Sequence, residues 1–243
     1  MKTAAFIPAR LASARFPRKL LQDLGGKPVV VRTYENTLRS GLFDKVWVIT
    51  DSREIAREIE KIGGTAKLST RPHPSGTDRI AEFAHAADAD IIVNVQADEP
   101  FVNPEVLNSI LEAFRKDEKR QIDIVSLMRP LKSEKEFYDP NQVKVVTDYQ
   151  NFALYFSRAP VPYPRDGKWS DALGHMGIYG FRRDVLEQIA ALPESPLEKV
   201  EKLENLRFLQ AGFRIKMLLT ESEFPGIDTP EDLEKARKMW KNE

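Results

Sequence analysis

Cysteine is absent from this chain of 243 residues, and histidine is scarce. The lack of cysteine excludes a disulfide scaffold, a thiolate-bound zinc, an iron–sulfur cluster and a cysteine nucleophile. The three histidines, His73, His85 and His175, leave room for only a minimal multi-histidine metal site. A long apolar run is also missing, since none approaches the roughly 20 residues that a membrane-spanning helix needs. We therefore expect no membrane span and a cytoplasmic location.

The chain has no net charge, because 37 Lys and Arg balance 37 Asp and Glu. A basic field over the whole protein, as nucleic-acid binding favours, is therefore absent, and we expect no nucleic-acid partner. The hydrophobic fraction of 42% and the charged fraction of 30% exclude a largely disordered chain. Residues 1–39 nevertheless hold eight basic and two acidic side chains, which indicates either a local anion site or a solvated basic face.

Apolar β-type runs alternate with helical patterns along most of the chain. This alternation predicts an α/β fold with a mainly parallel sheet, whose ligands bind at the carboxyl ends of the strands. Chemistry is then expected just after Ile7, Thr50 and Val95. The predicted strands are 4–7 (ending at Pro8), 46–50, 91–95, 122–128, 175–181 and 213–220, and the predicted helices include 53–62, 77–87, 182–192 and 196–211.

The alternation of strand and helix patterns changes after Met128. A capping box at 133–136 predicts a short helix, and the runs 142–147 and 152–156 predict a hairpin. Residues 137–169 hold eight of the 22 aromatic residues, which indicates an extension of the core or a surface for a partner. Because no repeat or low-complexity linker interrupts the chain, we expect one domain over 1–243 with an inserted subdomain.

A loop of small and basic residues follows the first predicted strand. Arg10, Arg15 and Lys19 lie within 12 residues that begin at Pro8 and include Ser13. Backbone N–H groups in such a loop can bind phosphate oxygens while the cations neutralise their charge. The spacing is neither a Walker A loop nor a dinucleotide fingerprint. An exposed basic loop is the alternative.

Further candidate residues stand at other element boundaries. Residues 71–79 contain the start of a predicted helix. The first N–H groups of this helix could bind an anion. The alternative is an ordinary helix start that Ser75 or Thr77 caps. Asp98 follows the strand 91–95 and could bind a hard cation or form a turn. Asp228 directly precedes the helix that Thr229 caps. It is either a metal ligand or an ordinary residue at the N-terminal boundary of that helix.

Two histidines are further candidate site residues. His175 lies on a predicted strand, where a lone histidine is more often structural than a ligand, and we interpret His85 as structural. Without a Gly-x-Ser-x-Gly elbow, a serine triad has no support. Basic residues for phosphates together with two separated aspartates for magnesium suit phosphoryl or nucleotidyl transfer.

With these residues in view, the chain resembles the 3-deoxy-D-manno-octulosonate (Kdo) cytidylyltransferases, also called CMP-Kdo synthetases. The blocks that carry the resemblance span nearly the whole chain and occur in the family order. The blocks at 73–79 and 96–100 are the ones most specific to Kdo enzymes, whereas the loop at 10–19 is shared with other sugar-nucleotide cytidylyltransferases. The matching blocks are 7–19, 73–79, 94–100, 155–160, 175–179 and 226–233.

The resemblance implies that CTP and Kdo react to CMP-Kdo and pyrophosphate, which activates Kdo for lipopolysaccharide biosynthesis. It implies a three-layer α/β/α nucleotidyltransferase fold with a mainly parallel sheet. It further implies Mg²⁺ as cofactor and a homodimer joined by an inserted arm, which we place at about 130–170. In the implied mechanism, the anomeric hydroxyl of Kdo attacks the α-phosphorus of CTP in line with the departing pyrophosphate.

The resemblance also assigns residues to roles. Asp98 and Asp228 resemble the magnesium ligands, and with Arg10 and Lys19 they form the implied catalytic set. The implied sugar-acid side comprises Gln96, Arg158, His175, Tyr179 and Glu204. The implied nucleotide-binding residues are Pro8, Arg10, Ser13, Arg15, Lys19, Thr70, Arg71, Ser75, Arg79 and Gln96.

Three positions depart from the family pattern. Glycine is common where Arg18 and Ala97 stand, so Arg18 would add a charge beside the triphosphate and Ala97 would be strained if its φ were positive. Glutamine is common where Asn205 stands. Alternatives to the Kdo reaction are a related acid such as 8-amino Kdo or a sialic-type acid, a GT-A-type glycosyltransferase, and a silent dimeric nucleotide-binding protein. A GT-A enzyme usually separates its acidic pair by one residue, whereas here Asp98 and Glu99 are adjacent.

Overall fold

The computed structural model describes residues 1–13, 15–167, 169, 171–222 and 224–240. The described strands are β1 Thr3–Ala9, β2 Asp23–Leu24, β3 Lys27–Pro28, β4 Lys45–Thr50, β5 Thr65–Leu68, β6 Ile91–Asn94, β7 Ile124–Pro130, β8 Lys144–Thr147, β9 Ala153–Ser157, β10 Leu173–Arg182 and β11 Ile215–Leu219. The described helices are α1 Val29–Arg39, α2 Arg53–Lys61, α3 Gly76–Ala81, α4 Pro104–Arg115, α5 Glu134–Tyr138, α6 Arg183–Ala190, α7 Pro196–Glu201, α8 Asn205–Gln210 and α9 Pro230–Trp240.

The chain forms two compact units. The first comprises Met1–Asn108 and Ser222–Glu243, and the second comprises Ser109–Glu221. The segment 130–170, expected as an inserted arm, is part of the second unit. Among the described residues, no helix has the length and apolar character needed to cross a bilayer.

The first unit contains a parallel sheet in the order β6-β1-β4-β5. Six of the seven residues of β1 are buried without alternation, which is typical of a strand covered on both faces. The α/β prediction is therefore confirmed in this unit. β1 continues through Pro8 to Ala9 instead of ending at the proline, and the short edge strand β5 was missed because it lacks an apolar run.

The second unit has a mixed sheet. β11 runs parallel to β7, whereas β10 is antiparallel to β7 and to β8, and β8 is antiparallel to β9. The hairpin predicted from the runs 142–147 and 152–156 is thus β8 and β9. The pairing of β10 with β7 shifts register between Met176 and Tyr179, which marks a bulge.

Two predicted helices are interrupted. The helix predicted over 77–87 ends at Ala81 and is followed by a 3₁₀ turn, His85–Ala87. The helix predicted over 196–211 is divided into α7 and α8, because Lys202 adopts a left-handed conformation (φ 53°) at the end of α7. The continuous prediction was wrong because Val200, Leu203 and Leu206 follow one another at intervals of three residues across the break, as they would in an unbroken helix.

Candidate active site

A cavity of about 270 Å³ lies in the first unit, at the carboxyl ends of β1 and β6. This is the sheet edge where the strand alternation predicts ligand binding. Eight of the predicted site residues line it, while Ala14 of the predicted anion loop lies outside the described residues. The lining residues are Pro8, Arg10, Ala12, Ser13, Arg15, Lys19, Leu20, Gln96, Ala97, Asp98 and Asp228.

The ammonium of Lys19 lies between the two predicted metal ligands. Its Nζ donates a short hydrogen bond to Asp98 Oδ2 and another, 2.9 Å long, to Asp228 Oδ1. Arg15 Nη2 lies 3.3 Å from the same Asp228 oxygen. The N–H of Ile227 donates to the carbonyl of Asp98 over 2.9 Å, which joins the two backbone segments. Two aspartates 130 positions apart in the sequence thus contact one cation.

The aspartates keep Lys19 charged. Partial burial by itself would lower the pKa of Lys19, but the negative charges and hydrogen bonds of Asp98 and Asp228 outweigh it and raise that pKa. Glu99 shows the opposite effect, because burial, followed by repulsion from Asp98 and Asp228, raises its pKa well above the usual range. Its Oε2 is buried without a hydrogen-bond partner in the described part of the chain. The sequence pattern assigned Glu99 no role.

The two aspartates suit a divalent cation. Both present carboxylate oxygens, the donor type that Mg²⁺ prefers, and both already contact the single positive charge of Lys19. Within the described residues no group of three or more His, Cys, Asp or Glu could hold a metal by itself. A metal ion here would therefore need oxygen ligands from a bound phosphate or from water.

Four of the predicted nucleotide-binding residues do not line the cavity, namely Thr70, Arg71, Ser75 and Arg79. Ser75 caps α3, since its Oγ accepts from the N–H of Asp78 over 3.1 Å and donates to the Asp78 carboxylate over 2.7 Å. The start of α3 still lies beside the cavity wall: a Cβ on Gly76 would be 3.4 Å from Pro8 Cγ.

Arg79 is buried, and its guanidinium uses only part of its hydrogen-bonding capacity among the described residues. Its Nη2 donates to Asp51 Oδ2 over 2.7 Å, and Asp51 directly follows β4. Its Nη1 is buried without a hydrogen-bond partner among the residues described. The guanidinium therefore retains a donor that a ligand could use.

Glu82 organises the segment that carries Thr70 and Arg71, a role the sequence did not reveal. Its carboxylate accepts hydrogen bonds from Ser69 Oγ (2.6 Å) and Thr70 Oγ1 (3.2 Å) and lies 2.8 Å from His73 Nε2. Burial opposes ionisation, but the hydrogen bonds of these three residues outweigh it and lower the pKa of Glu82 to about 2. Arg71 is exposed. A single glutamate after a short helix gives no signal of such a role.

Arg158, in the second unit, is held by backbone carbonyls. Its guanidinium donates to the carbonyls of Glu201 (2.7 Å), Pro140 (2.9 Å) and Lys202 (3.5 Å). The buried ammonium of Lys144 in turn donates to the Arg158 carbonyl over 2.7 Å. A sugar-acid role for Arg158 would require its guanidinium to exchange some of these partners.

His175 and Tyr179 lie side by side on β10, with ring centroids 5.4 Å apart. Burial lowers the pKa of His175 to about 3, so the ring is neutral at physiological pH. Burial, then the charge of Glu204, raises the pKa of Tyr179 well above its usual value, against a hydrogen bond with Asn205. This part of the unit offers a neutral imidazole and a neutral phenol.

The three departures from the family pattern have distinct structural settings. Arg18 has φ 56° and its Nη2 lies 2.5 Å from Glu54 Oε2, outside the cavity lining. Ala97 is not among the residues with positive φ, so the strain considered for it does not arise. Asn205 is buried at the start of α8, where it bonds to Tyr179.

Known proteins resemble this chain over nearly their full length. The family model described as Cytidylyltransferase matches residues 4–217. The 3-deoxy-manno-octulosonate cytidylyltransferase of Flavobacterium johnsoniae is 51% identical over all of both chains, and that of Christiangramia forsetii is 47% identical over 98% of this chain and 96% of the relative. A solved CMP:2-keto-3-deoxy-manno-octonic acid synthetase complexed with CTP is 40% identical, covers 100% of this chain and 99% of its own, and has a TM-score of 0.94.

Proposed function

Since this chain belongs to the 3-deoxy-manno-octulosonate cytidylyltransferases, we propose that it activates Kdo with CTP, forming CMP-Kdo for lipopolysaccharide biosynthesis and releasing pyrophosphate. The observation that carries this proposal is the cavity at the ends of β1 and β6. There the cationic loop 10–19 and the carboxylates of Asp98 and Asp228 face one space. Cations for a triphosphate beside oxygen ligands for a metal are what nucleotidyl transfer requires.

In the proposed reaction, the anomeric oxygen of Kdo bonds to the α-phosphorus of CTP and gives up its proton to solvent water. The bond from that phosphorus to the bridging oxygen breaks, and pyrophosphate leaves. Arg10, Arg15 and Lys19 bind the triphosphate and offset its charge, with Ser13 and the N–H groups of the loop as further donors. Asp98 and Asp228 would hold a divalent ion, which we take to be Mg²⁺ and which would supply charge neutralisation at the phosphates.

The remaining nucleotide and sugar-acid roles are supported more indirectly. Arg79 has a buried N–H donor without a hydrogen-bond partner among the described residues. We keep Ser75 as a nucleotide contact on the resemblance of the block 73–79. Thr70 and Arg71 precede that block, and we keep them as nucleotide contacts near the cytosine or the sugar acid because the resemblance assigns them there. We assign the sugar acid to His175, Tyr179, Glu204, Arg158 and Gln96. The neutral imidazole and phenol on β10 support this, because both can hydrogen-bond sugar hydroxyls without carrying charge.

We also propose a cytoplasmic homodimer joined through the segment 130–170. Four large side chains in this segment are exposed: Tyr138 (51%), Tyr149 (109%), Leu154 (61%) and Tyr163 (82%). Aromatic residues are enriched at protein–protein interfaces, which supports the interpretation of this cluster as a partner surface. Sedimentation of the purified chain would test it, and a monomer at micromolar concentration would contradict it.

The reaction is tested by pyrophosphate release from CTP with Mg²⁺ and a panel of sugar acids. We expect turnover with Kdo, and its absence would reject the proposal. Asp98→Asn should lower kcat by about 100-fold or more while CTP still binds. The matched control is Asp88→Asn, which removes an exposed carboxylate of the same unit that pairs with Lys2 and does not line the cavity.

An unchanged rate in Asp98→Asn would contradict the metal role. The same panel separates the alternatives. Preference for 8-amino Kdo or a sialic-type acid would change the substrate but keep the chemistry. Transfer from a nucleotide sugar without CTP consumption would instead favour a glycosyltransferase.

A further inference from the structure

A buried serine that the reaction scheme does not use faces His175. Ser126 lies on β7 and is fully buried. Its hydroxyl fills the bulge of β10, where Oγ lies 3.2 Å from the Met176 carbonyl and 2.9 Å from the Ile178 carbonyl. The third neighbour of the same oxygen is His175 Nε2, at 3.0 Å.

The single hydroxyl proton of Ser126 fixes the direction of these contacts. A serine hydroxyl has one proton to donate, and backbone carbonyls can only accept. With two carbonyl oxygens beside Oγ, the favourable arrangement directs the Ser126 proton toward them and leaves a lone pair of Oγ for His175. The contact at 3.0 Å is then a donation from His175 Nε2–H to Ser126 Oγ.

The other ring nitrogen is left as an acceptor. Burial keeps His175 neutral, so a proton on Nε2 means that Nδ1 carries none. Nδ1 has no hydrogen-bond partner among the residues that the structure describes, and it is not one of the fully buried unpartnered atoms. Phe156, at a ring distance of 5.0 Å, and Tyr179 hold the imidazole from its sides.

We propose that Ser126 is a positioning residue, which holds His175 with its proton on Nε2 so that Nδ1 accepts a hydrogen bond from a hydroxyl of the sugar acid. This inference rests on the proposed function. His175 then binds hydroxyl groups of the sugar acid and not its carboxylate, because an unprotonated ring nitrogen repels a carboxylate oxygen. The carboxylate must therefore bind elsewhere.

The first test reads the ring directly and needs no turnover. The chain has only three histidines, so long-range ¹H–¹⁵N spectra of ring-labelled protein contain three imidazoles. We expect His175 to show a proton on Nε2 that exchanges slowly with water. In Ser126→Ala this proton should exchange rapidly, and in Ser126→Thr, which keeps the hydroxyl, the protection should return.

The second test is kinetic. Ser126→Ala should raise KM for Kdo about tenfold, the size of one lost hydrogen bond, with kcat and KM for CTP almost unchanged. Thr37→Val is the control, because it removes another buried hydroxyl, which donates to the Thr33 carbonyl of α1.

The outcomes separate the two proposals. A wild-type His175 protonated on Nδ1, or equal exchange of the Nε2 proton in wild type and Ser126→Ala, overturns the inference whatever the enzyme does. Turnover of Kdo with the same KM in wild type and Ser126→Ala also overturns it. Absence of wild-type turnover rejects the proposed function alone, because the ring spectra still report the tautomer.

Discussion

Lys19 offers a test in which metal binding and catalysis should change in opposite directions. In the structure its ammonium contacts both Asp98 and Asp228 and offsets part of their negative charge. A divalent ion held by the same aspartates would compete with that ammonium, which is then released toward the triphosphate. Lys19→Met keeps much of the side-chain volume and removes the charge.

The expected magnitudes follow from exposure. Removing one partner of a buried ion pair costs about 3–5 kcal/mol, but Lys19, Asp98 and Asp228 are 14%, 25% and 49% exposed, so solvent screens part of the loss. We expect the metal-free variant to lose about 1–2 kcal/mol of unfolding free energy, or about 2–8 °C in melting temperature. Affinity for Mg²⁺ should rise about tenfold, because the competing ammonium is gone.

Catalysis should fall at the same time. Without its ammonium at the phosphates, the variant should lose about 100-fold or more in kcat. The assay combines melting curves over a Mg²⁺ series, calorimetric Mg²⁺ titration and pyrophosphate release. Lys27→Met is the control, since Lys27 also pairs with a carboxylate, Glu35, in the same unit but outside the cavity.

The reasoning is refuted if Lys19→Met loses Mg²⁺ affinity along with activity. That result would mean that the ammonium supports the metal site rather than competing with it. Equal effects of Lys19→Met and Lys27→Met on metal binding would also refute it, because the change would then come from net charge alone.

Two further predictions concern stability. Because the folded pKa of Glu82, about 2, lies below its unfolded value, its contribution of about 1–3 kcal/mol is full above that unfolded value and is lost as pH falls toward 2. The gap in unfolding free energy between wild type and Glu82→Gln should therefore shrink from pH 5 to about pH 2 in urea titrations, and a constant gap would contradict the assignment. Gly25→Ala should cost about 2–4 kcal/mol, because φ is +62° and the new Cβ would lie 2.3 Å from Trp240 Cδ1. Gly26→Ala, with φ +85° and open space, should cost only about 1 kcal/mol, so equal losses would exclude the clash as the cause.

The sequence was most informative where burial and connectivity decide the structure. The strands that became β1, β4 and β6 were predicted from apolar runs, and the place of the cavity followed from the rule for parallel strand ends. Helix breaks were not predictable in this way. The left-handed residue Lys202 interrupts a pattern whose apolar spacing continues, so periodicity alone could not locate the end of α7.

Contacts between distant polar residues were equally hidden. Asp98 and Asp228 could be proposed as ligands from their positions at element boundaries, but their shared contact with Lys19 depends on tertiary structure. Glu82, Glu99 and Ser126 were missed because each is a single residue whose role comes from what surrounds it. Arg158 shows the reverse case, in which a residue assigned to substrate already bonds to backbone carbonyls.

Arg18 shows how the structure changes the meaning of a departure from a family pattern. A non-glycine residue at φ 56° costs about 1 kcal/mol, which explains a preference for glycine there on conformational grounds. The ion pair of Arg18 with Glu54, 55% and 49% exposed, offsets at most about 1 kcal/mol, so the two contributions are similar in size. Because Arg18 pairs with Glu54 and is not among the residues that line the cavity, the expected extra charge beside the triphosphate is absent from that lining. The departure therefore bears on the conformation of the loop before Lys19 rather than on the charge that the nucleotide meets.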